Sequence, residues 1–138
     1  ATYGYLKSEY DDYLADLTGD GVITDNSDLV PRNTPENTFG LTTSYTTQIG
    51  NGDLKARVSY RFRDSMESES QNNPLGSLDS IHNVNANINY TIENYTVSVW
   101  GRNITDEREE RWSTIGGLTS RGWWNEPATY GVTVSASF

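Results

Sequence analysis

A chain of 138 residues is enough for one domain, and its 19 acidic against 10 basic residues give a net charge of −9, which excludes a protein that binds nucleic acid by displacing counterions from phosphates. With no cysteine and a single His82 there is no disulfide framework, no thiolate zinc cluster, no thiol nucleophile and no two-histidine metal site. Hydrophobic residues at 34% are few for an ordered globule, yet four Trp, nine Tyr and three Phe are too many for a disordered chain, so the apolar inventory must be deployed in an unusual way.

Nothing at Ala1 resembles a signal peptide, and no apolar run approaches the roughly 18 residues of a spanning helix. Periodicity of two, the signature of strands, dominates from the start. Tyr3 and Tyr5 mark a first, irregular strand. A long polar connection, residues 11–36, follows and holds a pattern like a calcium loop. Asp16, Thr18 and Asp20 fall at the positions of the first oxygen ligands, Gly21 at the sharp turn, the Val22 carbonyl and Thr24 at the later ligand positions. The closing bidentate Glu is absent, with Ser27 in its place and Asp28 beside it, so a plain Asp-Gly turn competes with calcium. Calcium in this loop is the one cofactor the sequence suggests.

The next segment opposes Phe39, Leu41, Thr43, Tyr45, Thr47 and Ile49 to Gly40, Thr42, Ser44, Thr46 and Gln48. Gly50, Asn51, Gly52 and Asp53 then predict a tight hairpin, because glycine takes positive φ without strain. Beyond it Leu54, Ala56, Val58, Tyr60 and Phe62 alternate with Lys55, Arg57, Ser59, Arg61 and Arg63, giving one apolar and one cationic face. That cationic face would steer an anionic ligand or pair with acidic groups of neighbouring structure. After a second polar connection, residues 64–79, the strand His82, Val84, Ala86, Ile88 and Tyr90 carries Asn83, Asn85, Asn87 and Asn89 on its other side. Four asparagines in a row imply a wet, hydrogen-bonding face, since asparagine is ordinarily depleted from strands.

Ile92, Glu93 and Asn94 predict another tight turn into a strand running from Tyr95 through Val97 and Val99 to Arg102. The third polar connection, residues 105–126, gathers Arg108, Arg111, Trp112, Arg121, Trp123 and Trp124. Guanidinium groups and aromatic faces suit an anionic, sugar-like or aromatic ligand, so Arg111, Trp112, Arg121 and Trp123 are the candidate ligand-binding residues. An aromatic anchoring belt at a membrane interface is the competing reading, above all for Trp124. The last strand opposes Tyr130, Val132, Val134, Ala136 and Phe138 to Thr129, Gly131, Thr133, Ser135 and Ser137. No nucleophile stands beside a base and no carboxylate pair is isolated, so the chain does not read as an enzyme.

The reading is therefore all-β, one unit over residues 1–138, with about six strands and no helix. A soluble sandwich would bury the apolar faces against a second sheet, whereas a transmembrane β-barrel would turn them to lipid. Strands of about ten residues, tight turns alternating with long loops and a terminal Phe138 preceded by apolar residues at alternate positions favour the barrel.

Several stretches resemble the TonB-dependent outer-membrane receptors. Trp100, Gly101, Arg102, Asn103, Ile104, Thr105, Asp106 and Glu107 are similar to the penultimate strand and loop of that family, and Trp124, Asn125, Glu126, Pro127, Ala128, Thr129, Tyr130, Gly131 and Val132 to its closing strand. Arg32, Asn33, Thr34, Pro35, Glu36, Asn37, Thr38 and Phe39 resemble the proline-containing approach to an earlier strand. Ala136 departs from the larger apolar residue common two positions before the terminal Phe. The resemblance implies the C-terminal part of an antiparallel transmembrane barrel of about 22 strands in the bacterial outer membrane. It implies transport of a scarce ligand, such as a ferric siderophore or other iron complex, cobalamin or an oligosaccharide. The partners it implies are the remaining barrel strands, a plug domain, the TonB system, outer-membrane lipid and the small-molecule ligand. A self-contained secreted β domain binding carbohydrate through its surface aromatics is the alternative.

Overall fold

In the computed structural model the described residues are 1–116 and 119–138, and between 111 and 120 only Ser113 and Thr119 have described side chains. The strands are β1 (Thr2–Tyr5), β2 (Leu14–Ala15), β3 (Thr24–Asp25), β4 (Asn37–Ile49), β5 (Gly52–Arg63), β6 (Met66–Glu67), β7 (Ser77–Leu78), β8 (Ile81–Ile92), β9 (Tyr95–Arg102), β10 (Glu110–Gly116), β11 (Thr119–Trp124) and β12 (Thr129–Ala136). The only helical piece among them is a 3-10 turn, Pro74–Gly76, capped by the Asn73 side chain accepting from the Leu75 N–H. Among the described residues no helix is long and apolar enough to cross a membrane, a statement that does not touch spanning by strands.

Six strands form one antiparallel sheet in the order β1-β4-β5-β8-β9-β12. Two-residue turns join its closest pairs, Gly50-Asn51 between Ile49 and Gly52, and Glu93-Asn94 between Ile92 and Tyr95. Gly50 has φ 60° and Glu93 φ 49°, so the first loop residue of each turn bends through the left-handed region. Because the sheet is antiparallel, the long connections from β1 to β4, β5 to β8 and β9 to β12 all leave from the opposite end. This bears out the expected division into tight turns and long loops.

The register keeps the two faces separate across the whole sheet. Tyr45 pairs with Ala56, Ala56 with Ile88, Ile88 with Val99 and Val99 with Val132, an unbroken apolar row over five strands. One residue along, Ser44, Arg57, Asn87, Trp100 and Gly131 make the neighbouring row on the other face. A slip of one residue anywhere would exchange the faces, so the alternation in the sequence and the turn lengths fix one register together. Aromatics on the apolar face collect toward the loop end, at Phe39, Tyr60 and Phe62, and toward the turn end, at Tyr90 and Tyr95. Val58, Ala86, Ile88 and Val99 lie between; Tyr45, in the row of Ile88 and Val99, and Tyr130, in the row of Val58 and Ala86, depart from this pattern.

Among the described residues, no element packs on the apolar face. Val99 is 52% exposed and Val134 69%, while the polar-face Ser98 and Trp100 beside Val99 are only partly exposed. The sheet thus leaves its hydrocarbon bare, while on the polar face Ser59, Asn85, Asn87, Asn89 and Ser98 are partly covered and Ser44, Arg57 and Thr133 are exposed. The buried hydrophobic residues among those described are Leu78, in β7, and Ile81, at the loop end of β8. The sheet is also open, since β1 pairs only with β4 and β12 only with β9, and the described residues close no barrel.

Each long connection contains a small antiparallel hairpin, β2-β3, β6-β7 and β10-β11. These lie within the long polar connections read from the sequence, whose pattern shows no sign of strands there. The first two are ladders of two residues per strand, too short for any periodicity to register. In the third, the register shifts between Glu110 and Trp112, which erases the alternation. The loops also hold one another. The Asn72 side chain, with φ 47° at its own backbone, accepts from the Val30 N–H (2.6 Å) and donates to the Val30 carbonyl (2.9 Å), as a strand partner would. Gln71 Nε2 donates to the Leu17 carbonyl. On the other flank, the Ser68 hydroxyl donates to the Ser113 carbonyl (3.1 Å) and the Ser113 hydroxyl to the Leu75 carbonyl (3.3 Å).

Candidate functional site

Where β9 runs into the third connection, Asn103 turns the chain back over the polar face. It has φ 49°, a conformation asparagine tolerates better than most residues, and is 5% exposed. Burial of an amide without partners would be costly, and every polar group of Asn103 is used. Its Oδ1 accepts from Asn83 Nδ2 (3.1 Å) and the Glu107 N–H (3.1 Å), and its Nδ2 donates to the carbonyls of Glu107 (2.9 Å) and Glu126 (3.1 Å). Its N–H reaches Asn85 Oδ1 (2.9 Å), and Asn85 Nδ2 in turn donates to Asn83 Oδ1 (3.0 Å). Two members of the asparagine ladder therefore act as anchors for the third loop. Asn125 clamps the loop's two legs, accepting from the Glu109 N–H (3.0 Å) and donating to the Glu107 carbonyl (3.0 Å).

This clamp carries Glu109 to the polar face. Its carboxylate is 3.0 Å from Arg61, with the Glu109 side chain 9% and the Arg61 side chain 54% exposed. The arrangement leaves a cleft of about 970 Å³ between the sheet and the returning loop, its walls including Arg61, Asn85, Arg102, Trp123, Trp124 and Pro127. Arg102 lies over the Trp100 ring, its guanidinium carbon 5.3 Å from the centroid, and Trp100 Nε1 donates to Thr133 Oγ1 (3.3 Å). The ring can lie flat because its cross-strand partner is Gly131; a methyl group there would run into Trp100 Cζ2 and Cε2. A smaller groove continues along the polar face past Arg57, Ser59 and Asn87. Chemically, the cleft offers guanidinium and amide donors on its floor and two indole faces at its mouth.

Of the candidate ligand residues, Trp123 lines this cleft and is 73% exposed. Arg121 is exposed on β11 and does not line it. Arg111 and Trp112 belong to the β10 backbone, and their side chains lie outside the described residues. Trp124, read from sequence first as an interface anchor, joins Trp123 on the cleft wall. Arg102, Asn83, Asn85 and Asn103 were not among the candidates. The asparagine ladder was the one signal that pointed toward them.

The calcium-like segment is a compact turn between β2 and β3. Asp16 Oδ1 accepts from the Gly19 N–H and Oδ2 from the Gly21 N–H, each at 2.7 Å, with Gly19 at φ 74° and Gly21 at φ 85°. The bond from the Gly21 N–H holds the Asp16 carboxyl below its usual pKa against the opposing effect of desolvation, with help from the Gly19 and Thr18 bonds. Asp20 Oδ1 accepts from the Val22 N–H (2.8 Å), and Thr24 Oγ1 faces the Ala15 carbonyl (3.3 Å). No group of three or more His, Asp or Glu side chains arranged to hold a metal occurs among the described residues.

The chain matches no protein-family model, no curated protein and no solved structure. What the fold and the cleft define is a class: an all-β chain whose antiparallel sheet has an exposed apolar face and a polar face roofed at one end by interlocked loops.

Proposed function

We propose that this chain is the C-terminal part of a TonB-dependent receptor barrel in the bacterial outer membrane. In this reading it supplies the last barrel strands and three extracellular loops for uptake of a scarce ligand. The observation that carries it is the uncovered apolar row, in which Tyr45, Ile88, Val99 and Val132 are all exposed, beside a polar row in which Asn87, Trp100 and Gly131 are partly covered. In water, an apolar surface of that extent would drive association, whereas lipid makes it the stable arrangement. Aromatics toward both ends of an aliphatic middle, and long loops at one end only, fit the same environment. Six strands are fewer than the roughly eight of the smallest closed barrels, and open edges in hydrocarbon leave backbone groups unpaired, so further strands and a plug belong to the proposal. Among the described residues of the cleft no nucleophile is paired with a base, which favours binding and transport over catalysis. Calcium bound through Asp16, Thr18, Asp20, the Val22 carbonyl and Thr24 is a subsidiary part of the proposal, as a brace for the first loop.

This chain contributes no cysteine of its own, so each engineered cysteine in it is a single labelling site within the chain. Nitroxides at Val58 and Val99, in the complete protein reconstituted in a bilayer, should be relaxed by lipid-soluble oxygen. Labels at Ser59 and Ser98 should not. Shielding of Val58 and Val99 from oxygen would transfer the chain to the alternative class, a soluble β domain whose aromatic cleft takes carbohydrate.

A further inference from the structure

The polar face carries a charge opposite to that of the chain. Against a net charge of −9, β5 presents Lys55, Arg57, Arg61 and Arg63 on this face and β9 presents Arg102. The carboxylates on or against it are Asp53 at the turn end, Glu109 under the loop and Glu126 on the cleft wall, three against five cations. The ion pairs found among the described residues are Lys7–Glu9 in the first loop and Arg61–Glu109, so Lys55, Arg57 and Arg102 remain without one. Between the two cationic strands runs β8 with its asparagines, Arg57 pairing with Asn87 and Asn87 with Trp100. Two strand spacings separate Arg57 from Trp100, about 10 Å. That leaves room for a sugar residue or a small chelate to lie on an amide floor, with guanidinium groups at both sides and an indole beneath Arg102.

We infer that the cleft and the groove continuing from it bind an oxygen-rich anion, a carboxylate-bearing chelate or an acidic oligosaccharide, in preference to any neutral ligand. The inference rests on the proposed transport role for the ligand's route but on the face's own charges for its chemistry. Guanidinium forks hold carboxylates in a bidentate geometry that amides alone cannot match, and Arg102 is already oriented by Trp100. Asn85 and Asn87 supply amides between the cations, Trp123 and Trp124 an apolar rim at the mouth. A low-dielectric wall of one sign focuses the field along the groove, so the anion is drawn from the mouth toward Arg57 and Lys55.

Calorimetry on the complete protein in detergent, with ferric citrate, a galacturonate trimer and neutral maltohexaose as probes, tests this. One or both anionic probes should bind while maltohexaose does not, with affinity falling as salt is raised. Whichever anion binds assigns the source, chelate or acidic sugar. Arg102→Gln and Arg57→Gln should each weaken that binding about tenfold or more, and Arg102→Lys less, because loss of a charge-assisted hydrogen bond is read directly in the dissociation constant. Lys7→Gln, which removes the same charge from the first loop, should leave it unchanged. Tighter binding of maltohexaose, or binding of neither anion, overturns the inference. So does an unchanged anion affinity in both Gln variants with a lowered unfolding temperature, which would assign the cations to an acidic plug surface. The transport reading fails separately: if Val58 and Val99 labels are shielded from lipid while anions still bind, the barrel is lost and the anion site stands.

Discussion

An arginine walked along the apolar side of β5 measures what covers that face. Leu54, Ala56, Val58, Tyr60 and Phe62 all belong to it, and each pairs with an apolar-face residue of β8. From Leu54 to Phe62 the strand climbs about 26 Å, which at a tilt of about 40° becomes roughly 20 Å along the membrane normal. The apolar band of such a barrel is about 25 Å tall, so Val58 sits at its middle and the two ends lie roughly 10 Å away, close to the interfaces. Arginine should therefore cost about 2–4 kcal/mol at Val58, and about 0–1 kcal/mol at Leu54 and Phe62, with Ala56 and Tyr60 between. Refolding of the complete protein into lipid vesicles, titrated with denaturant and followed by gel mobility, reads these differences. The expected profile is a single central peak. A uniform cost, with Leu54→Arg and Phe62→Arg as damaging as Val58→Arg, is what a packed protein core predicts and would refute a lipid-covered face.

Asn103→Ala should open the base of the third loop at a cost of about 3 kcal/mol or more, because it strips partners from buried groups on both legs and forces alanine into positive φ; hydrogen exchange at Glu107 and Glu109 should rise while the amides of β4 and β5 keep their protection. Gly131→Val should displace the Trp100 ring and cost about 1–3 kcal/mol, with a change in tryptophan emission that Thr133→Val, which removes only the indole's hydrogen-bond partner, reproduces weakly. The Asp16 carboxyl has its pKa lowered in the folded loop, so its contribution is complete above the unfolded value of about 3.9 and is lost as pH falls through the lower folded value. Exchange of the Gly21 amide should therefore quicken only in strong acid, and Asp16→Asn should remove that transition. Millimolar calcium should protect the first loop from proteolysis and Asp20→Ala should abolish the protection; identical digestion with and without calcium would dismiss the metal.

The long strands were legible because alternation is a local property: Leu54 to Arg63 announces both its faces in ten residues. The two tight turns then fixed the pairing of β4 with β5 and of β8 with β9, since each loop length admits one register. The cleft was less legible because its contacts are distant in sequence. Arg61 meets Glu109 across 48 residues and Asn83 meets Asn103 across 20, and nothing in the local pattern couples them. Glu109 reads from sequence as one of several solvated acids, although it is buried. Trp123 was foreseen because aromatics in loops stand out by type alone, while Arg121 beside it, equally conspicuous, turns elsewhere.

The bonds among the three long loops make them one part rather than three. Residues 64–80 are the keystone: Asn72 and Gln71 grip the first loop, and Ser68 and Leu75 grip the third through Ser113. Deleting or replacing that middle segment would therefore release both neighbours at once. Exchanging any single loop with one from another protein would leave an unmatched joint on at least one side. Variation at this end of the molecule is constrained to travel in sets, with a change at Val30 or Ser113 answered by one in the segment between them.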